Sequence, residues 1–229
     1  MNNTPPFEHG RASHIVFDMD GVLLDTERIY TDVTQQIVGR FGKTYDWALK
    51  GQLIGRPALD SARHLVEALA LPIAPEEYLA ERARLFEDAM PLAEPMPGAV
   101  ALTRALAAAG VPMAVASSSS RALYALKTRR HRDWFAGFAA VVLGDDPRVA
   151  RGKPAPDIFL VAARELGAPP AACVVVEDAP AGVAAARAAG MRVVAVPDPA
   201  MDPARFADAH TVARSLFDLD LVRLGIVPA

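Results

Sequence analysis

Two aspartates follow the first apolar run of the chain, in the segment IVFDMDG. Asp18 and Asp20 therefore lie where a buried strand is predicted to end, although like charges repel and the burial of a charge is costly. A bound cation removes that cost, and Mg²⁺ prefers carboxylate oxygens together with water and phosphate oxygens as ligands. We infer that these acids serve chemistry that requires a metal ion and a phosphoryl group.

Three further groups of polar residues accompany later apolar runs and helices. Four serines, 117–120, follow the run VPMAVA, and Lys153 precedes a predicted helix in the segment RGKPAPD. Glu177 and Asp178 follow the run CVVV. Ligands bind at the carboxyl ends of the strands in open α/β sheets, so we expect all of these groups at one edge of the sheet.

The combination of two acid pairs, a hydroxyl and a lysine fits phosphoryl transfer. A carboxylate can attack phosphorus to form an aspartyl-phosphate, while a second acid protonates the leaving oxygen and later activates water. A lysine and a hydroxyl can stabilise the charged oxygens of the transferred group. Taken singly, each motif has a simpler interpretation as a turn, a helix cap or a solvated lysine. Their occurrence together and in order favours a catalytic site.

The apolar runs of the chain are short and continuous rather than alternating, which is typical of strands covered on both faces of a parallel sheet. Helical patterns between the later runs stop at Gly110, Gly167 and Gly190, as helices commonly do. We therefore predict an α/β fold with a Rossmann-like parallel sheet. The predicted strands cover residues 14–17, 111–116, 140–143, 173–176 and 192–196.

The segment after the first strand is different, because residues 27–95 contain no convincing strand and only helical stretches separated by Gly and Pro. The sequence PLAEPMPG at its end is typical of a linker. We predict a core domain formed by residues 1–26 and 96–229, with an all-helical cap domain, 27–95, inserted after the first strand.

Composition limits the class of protein. The chain has 229 residues, of which 52% are hydrophobic and 22% charged, a balance that argues against disorder. A net charge of -3 gives no reason to expect binding to nucleic acid or to a membrane surface. The single cysteine, Cys173, cannot form an internal disulfide, which fits a reduced compartment. We expect a cytoplasmic monomer that acts on a small molecule.

Four segments, in order, resemble the signature motifs of the haloacid dehalogenase-like hydrolase superfamily: FDMDGVLLDTE, AVASSS, GKPAPDIF and VVVEDAPAGVAAARAAGM. The helical insert is similar to that of the β-phosphoglucomutase-like branch. Within that branch, LKTRRH and VVLGDDPRVARGKPAPDIFL are most similar to the pseudouridine-5'-phosphatase and sugar-phosphate phosphatase group. The resemblance implies a Mg²⁺-dependent phosphatase that acts on a small phosphorylated metabolite.

The resemblance also implies roles for the catalytic residues. Asp18 would be the nucleophile and Asp20 the general acid and base. Ser117 would bind the transferred phosphoryl group, helped by the backbone of Ser118. Lys153 would pair with the phosphate and with Asp18.

The same resemblance implies a metal site. Asp18, the backbone carbonyl of Asp20 and Asp178 would bind Mg²⁺, with Glu177 beside them as a ligand or as a support for the ligands. Gly21 would allow the backbone to approach the phosphate closely.

One departure from the branch concerns the cap. Its mutases carry an arginine three residues after a glycine and a histidine near the end of the first motif. Here Ala58 and Tyr30 occupy those places, and Arg56 directly follows Gly55. A mutase must hold a second phosphate and exclude water, so the departure favours a phosphatase. Arg56 stays a candidate contact to the substrate.

Two alternatives stay open at this point, a β-phosphoglucomutase-type mutase and a phospho-accepting aspartate switch. The switch also uses an aspartate, a hydroxyl, a lysine and Mg²⁺, but Asp20 should speed hydrolysis of the phosphoryl group. A dehalogenase is disfavoured, because carbon chemistry needs neither Asp20 nor the pair Glu177 and Asp178.

Two other features are interpreted as structural. The basic run KTRRHRD, 127–133, predicts a solvated helix or the rim of a substrate entrance. Trp47 is assigned to the core of the cap, with stacking on a base or sugar as the alternative.

Overall fold

The computed structural model describes residues 12–53 and 58–226. Six strands in these ranges are β1 (His14–Phe17), β2 (Met113–Ser117), β3 (Ala140–Leu143), β4 (Cys173–Glu177), β5 (Arg192–Ala195) and β6 (Thr211–Val212). They form one sheet in the order β3-β2-β1-β4-β5-β6, and every neighbouring pair is parallel. The predicted α/β fold with a Rossmann-like parallel sheet is confirmed.

Successive side chains of the central strands pack on opposite faces of the sheet. Ile15 and Phe17 of β1 belong to one hydrophobic cluster, and Val16 between them belongs to another. Val174 and Val175 of β4 are divided in the same way. Helices cover both faces, so the interior positions of these strands are apolar and the runs are continuous.

Four helices lie between β1 and β2 in the sequence: α1 (Thr26–Gly39), α2 (Trp47–Leu53), α3 (Ala58–Ala68) and α4 (Pro75–Ala89). They share a third hydrophobic cluster, to which Ile37, Leu65 and Phe86 belong. Because these helices have a core of their own, we keep the helical segment 27–95 as a proposed cap domain.

Five more helices connect the remaining strands: α5 (Ala99–Ala108), α6 (Arg121–Lys127), α7 (Arg132–Phe135), α8 (Asp157–Glu165) and α9 (Pro180–Ala188). Gly110, Gly167 and Gly190 follow α5, α8 and α9 with φ angles of 70°, 67° and 71°. This left-handed conformation ends a helix at little cost for glycine, as the sequence predicted. In the described ranges no helix is long and apolar enough to span a membrane.

The helical segment joins the sheet through two adjacent stretches of backbone. Asp25 N donates to Glu94 O at 2.8 Å, and Met96 N donates to Leu23 O at 2.9 Å. Leu24 and Pro95 pair between these two hydrogen bonds. The chain therefore enters and leaves the helical segment through two stretches that lie side by side. The first of them directly follows the turn that carries the two aspartates.

Candidate active site

A cavity of about 600 Å³ lies at the carboxyl ends of the central strands. Both the sheet and the helical segment contribute to its wall. The wall includes Asp18, Asp20, Glu27, Trp47, Ser118, Lys153, Glu177, Asp178, Asp198 and Met201. The structure thus brings most of the predicted site residues to one cavity.

Lys153 connects two of the acids in this cavity. Its Nζ donates to Asp18 Oδ1 at 2.5 Å, to Glu177 Oε1 at 2.7 Å and to the carbonyl oxygen of Ala116 at 3.2 Å. Burial raises the pKa of Asp18 above its usual range, and the charges of Glu177 and Asp20 act in the same direction while Lys153 opposes them. Lys153 is the counter-ion that orients Asp18 and opposes the effect of burial on its pKa.

Glu177 is almost fully buried, and N–H donors occupy both of its carboxylate oxygens. Oε1 accepts from Lys153, while Oε2 accepts from the backbone N–H groups of Asp178 and Ala179, both at 2.8 Å. A Cβ atom on Gly182 would lie 1.7 Å from Oε1, so the first turn of α9 packs directly against this carboxylate. Both carboxylate oxygens of Glu177 therefore already accept hydrogen bonds within the protein.

We expect the substitution Gly182→Ala to unfold α9 locally or to displace Glu177, because no Cβ fits at 1.7 Å from a carboxylate oxygen. Overpacking of this kind costs about 1–3 kcal/mol or more. Thermal unfolding should show a lower midpoint, and phosphate release should fall as Lys153 loses its fixed partner. The matched control is Gly51→Ala in α2, where a Cβ meets nothing within 4 Å and the midpoint should rise slightly. An unchanged midpoint for Gly182→Ala would contradict this packing.

Asp178 lies at the cavity wall against the turn that contains Gly21. A Cβ at Gly21 would be 2.2 Å from Asp178 Oδ2, and Gly21 has a φ of +77°. Glycine is therefore required here both for backbone conformation and for space. Burial raises the pKa of Asp178 well above its usual range, and the charges of Glu177, Asp18 and Glu27 raise it further.

The donor set suits a hard cation. Among the described residues no three His, Cys, Asp or Glu side chains already enclose a metal position. The buried Asp18 and the half-buried Asp178 are nevertheless two carboxylates that repel each other at the wall of one cavity. Two carboxylates with room for water and phosphate oxygens fit Mg²⁺, which keeps several waters and binds few protein ligands.

Asp20 is held by different partners from those of Asp18. Its Oδ1 accepts from Lys127 Nζ at 2.5 Å and from Thr26 Oγ1 at 2.6 Å. Its Oδ2 accepts from Ser119 Oγ at 3.0 Å and from Ser117 Oγ at 3.2 Å. Burial alone would raise the pKa of Asp20, but the charge of Lys127 and these hydrogen bonds outweigh it and lower the pKa. The surroundings favour the ionised carboxylate.

Lys127 is a residue that the sequence interpretation missed. The basic run 127–133 is predicted to form a solvated helix or the rim of a substrate entrance, whereas the Lys127 side chain is completely buried. Leu123 and Leu126 of the same helix pack against the helical segment. The helical period indicates this burial, because Lys127 follows Leu123 by four residues and therefore lies on the same face of the helix.

The two other predicted phosphate contacts differ in position. Ser118 is exposed at the cavity wall, as expected for a residue that meets a ligand. Ser117 is fully buried, and its Oγ lies between Asp20, to which it donates, and the N–H of Ser119, from which it accepts at 3.1 Å. Its hydroxyl is thus directed at Asp20. Arg56 lies outside the described residues.

Trp47 does not belong to the core of the helical segment, which corrects its sequence interpretation. Its ring packs beside the cluster of the sheet domain to which Met201 belongs. Its Nε1 donates to the carbonyl oxygen of Ala200 at 3.0 Å. The Nζ of Lys50 lies 5.2 Å from the centre of the ring. Trp47 therefore joins the helical segment to the sheet domain at the wall of the cavity.

The parallel sheet, the lysine-bound carboxylates and the acidic cavity define an α/β enzyme suited to phosphoryl transfer. The chain belongs to the haloacid dehalogenase-like hydrolase family, whose model matches residues 12–190. A solved structure that resembles the chain is described as a "putative beta-phosphoglucomutase from Thermotoga maritima", with 29% identity and a TM-score of 0.70, covering 88% of this chain and 94% of that one.

Known relatives indicate the class of reaction. The chain is 43% identical over 235 residues to "(DL)-glycerol-3-phosphatase 2" of Arabidopsis thaliana, covering 100% of this chain and 98% of that protein. It is 45% identical over 219 residues to "Probable pseudouridine-5'-phosphatase" of Drosophila melanogaster, covering 94% and 95%. A hydrolase of the same family from Deinococcus radiodurans, crystallised with bound phosphate and sodium, shares 29% identity and a TM-score of 0.79, covering 96% of this chain and 99% of that one. The chain is therefore a phosphomonoester hydrolase, and the alternative of a phospho-accepting switch does not fit.

Proposed function

We propose that this enzyme hydrolyses a small phosphomonoester with bound Mg²⁺, through an aspartyl-phosphate formed on Asp18. The observation that carries the proposal is the contact of Lys153 Nζ with Asp18 Oδ1, at 2.5 Å, in a cavity wall shared with Asp178. A fixed carboxylate with a cation beside it provides both the attacking atom and charge stabilisation for the phosphoryl group.

The reaction proceeds in two steps that use the two aspartates in turn. An oxygen of Asp18 attacks phosphorus, the bond between phosphorus and the ester oxygen breaks, and a proton on the Asp20 carboxyl group moves to that oxygen. A water molecule then attacks phosphorus, gives a proton to Asp20 and releases inorganic phosphate together with the Asp18 carboxylate. The hydrogen bonds that favour ionised Asp20 help it to release its proton in the first step and leave it as the carboxylate with which the second step begins.

We assign Asp18, Asp178 and the backbone carbonyl of Asp20 as the residues that would hold Mg²⁺. Bound there, the ion would neutralise charge on the phosphoryl group during transfer. The raised pKa of Asp178, caused by burial and by the neighbouring acids, supports a cation at this place. Glu177 supports Lys153 and the start of α9 instead, because its oxygens are already occupied.

The phosphate contacts are also assigned from position. Ser118 faces the cavity and is proposed to bind phosphate oxygens, whereas Ser117 is proposed to hold Asp20. The absence of a side chain at Gly21 leaves room for Asp178 Oδ2, which a Cβ atom would approach to 2.2 Å. Arg56 stays a proposed substrate contact.

The helical segment is proposed to act as a cap over the substrate. Trp47 and Glu27 belong to this segment and line the same cavity as Asp18. Lys50, which bridges to Glu27 Oε2 at 3.1 Å, fixes the wall that they form. A closed cap would exclude bulk water and position the leaving group.

The leaving group is proposed to be uncharged and rich in hydroxyl groups. Besides the phosphoryl-binding residues, the described part of the wall contributes Glu27 and Asp198, whose carboxylates accept hydrogen bonds from hydroxyls and repel a second phosphate. The apolar face of Trp47 suits a carbon chain, a sugar or a base. The names of the two relatives indicate glycerol 3-phosphate and pseudouridine 5'-phosphate as their substrates. Both compounds would release an uncharged leaving group that carries hydroxyl groups.

We expect phosphate release from one or a few of these monoesters in the presence of Mg²⁺, and a loss of about 10²-fold or more in EDTA. The panel contains glycerol 3-phosphate, pseudouridine 5'-phosphate, UMP, hexose phosphates, fructose 1,6-bisphosphate and β-glucose 1-phosphate. The bisphosphate should react slowly, since the described wall is acidic. Conversion of β-glucose 1-phosphate to the 6-phosphate without release of phosphate would contradict the proposal and support the mutase.

A further inference from the structure

Lys127 is completely buried although it is not among the contacts of Asp18, the proposed nucleophile, and its burial needs an explanation. Lys127 has no exposed side-chain surface, and its Nζ contacts Asp20 Oδ1 at 2.5 Å, Ser119 Oγ at 2.8 Å and the hydroxyl of Tyr30 at 3.1 Å. Removal of an ammonium group from water is costly unless such partners replace the water. The three partners belong to different parts of the fold: the turn after β1, the loop after β2, and α1 of the helical segment.

We propose that Lys127 is a positioning residue, which holds the carboxylate of Asp20 in its working orientation only while Tyr30 of the helical segment is in place. The inference rests on the proposed function, since it gives Asp20 the proton transfers described above. Lys127 itself would touch neither the phosphate nor the leaving group.

The first helix contacts this arrangement at two points. Thr26 donates directly to Asp20 Oδ1, and Tyr30 reaches the same oxygen through Lys127. Residues four apart lie on the same face of a helix, so both contacts come from one side of α1. Any movement of α1 away from α6 therefore changes two of the partners that orient Asp20.

Tyr30 is itself fixed by the helical segment. Its ring meets the ring of Phe86 in α4 edge to face, with centres 4.9 Å apart. On the other side, Leu123 and Leu126 place α6 against the same hydrophobic cluster. The contact of Tyr30 with Lys127 therefore depends on how the helical segment packs on α6, which couples the closure of the proposed cap to the position of Asp20.

A positioning role differs from a merely structural one in its dependence on the leaving group. A proton from Asp20 is needed when the leaving oxygen is a basic alkoxide and matters little when it is p-nitrophenolate. A lysine that only balanced buried charge would affect both substrates alike, whereas one that orients Asp20 affects the alkyl ester selectively.

The test measures kcat and KM of Lys127→Met on p-nitrophenyl phosphate and on the alkyl phosphate that the wild type hydrolyses fastest. We expect kcat on the alkyl ester to fall about 10²-fold and on the nitrophenyl ester only a few-fold, with KM unchanged. Asp20→Asn should show the same selectivity, and the double variant should be no slower than Asp20→Asn alone, because the two residues act as one unit.

Two tyrosine variants test the proposal even if Lys127→Met does not fold well. Tyr30→Phe loses only the hydroxyl that meets Lys127 and should lower kcat on the alkyl ester several-fold. Tyr78→Phe is the matched control, since Tyr78 is a buried tyrosine of the same helical segment whose hydroxyl instead lies 3.1 Å from Thr34 Oγ1. Tyr78→Phe should leave kcat unchanged on both esters.

The outcomes separate the two proposals. If the wild type releases no phosphate from either ester, the proposed function itself fails. If the wild type and Asp20→Asn behave as expected but Tyr30→Phe matches Tyr78→Phe, or Lys127→Met slows both esters equally, the positioning role of Lys127 is overturned.

Discussion

Substitution of Asp18 by Asn is expected to abolish phosphate release, by about 10⁴-fold or more, while the protein stays folded. The amide has the shape of the carboxylate but cannot form the acyl phosphate. Lys153 keeps Glu177 as a partner after the substitution, and loss of the Asp18 charge relieves its repulsion of Asp178. The free energy of unfolding should therefore stay close to that of the wild type. Steady-state phosphate release tests the expected loss of activity, and thermal unfolding of the same preparation tests the expected stability.

A matched control for Asp18→Asn is Asp202→Asn, which alters a surface aspartate whose Oδ1 accepts the N–H of Ala204 at 2.9 Å. It should leave the rate unchanged. Full activity of Asp18→Asn would show that the nucleophile lies elsewhere. Loss of folding, rather than of activity alone, would show that the carboxylate of Asp18 is needed for stability.

Substitution of Lys153 by Met should have the second largest effect and should reduce both stability and activity. It leaves Asp18 and Glu177 without their shared cation, and removal of one member of a buried ion pair costs about 3–5 kcal/mol. We also expect kcat to fall about 10²- to 10³-fold, because a fixed positive charge beside the phosphoryl group is lost. Urea unfolding and phosphate release measure the two effects.

A second substitution tests the electrostatic origin of the stability loss. Adding Asp18→Asn to Lys153→Met removes one of the uncompensated charges, so the double variant should be more stable than Lys153→Met alone. Arg63→Met is the control, because Arg63 pairs with Asp60 on the exposed surface of α3, where ion pairs contribute little. A Lys153→Met protein as stable as the wild type would contradict the pairing.

The sequence alone was sufficient for five of the six strands in the described ranges and for four of the six acids that line the cavity. Strand β1 covers the four residues predicted for it, and β4 extends the predicted run by Glu177. These predictions succeed because burial on both faces leaves a local trace, a continuous apolar run. Strand β6 was missed, since Thr211 and Val212 are too few to leave such a trace and are held by backbone pairing with β5.

The partners of the acids, by contrast, were decided by the tertiary structure. Lys153 meets Asp18 across 135 residues of sequence, and Lys127 meets Asp20 across 107. The first pair was foreseen only through a family resemblance, and the second not at all, since the helical period could indicate that Lys127 is buried but not which carboxylate it meets. The orientation of Ser117 towards Asp20 and the hydrogen bond from Trp47 to Ala200 are equally non-local. Residue types and strand ends are encoded locally, whereas the choice of counter-ion for a buried charge depends on which distant segments pack together.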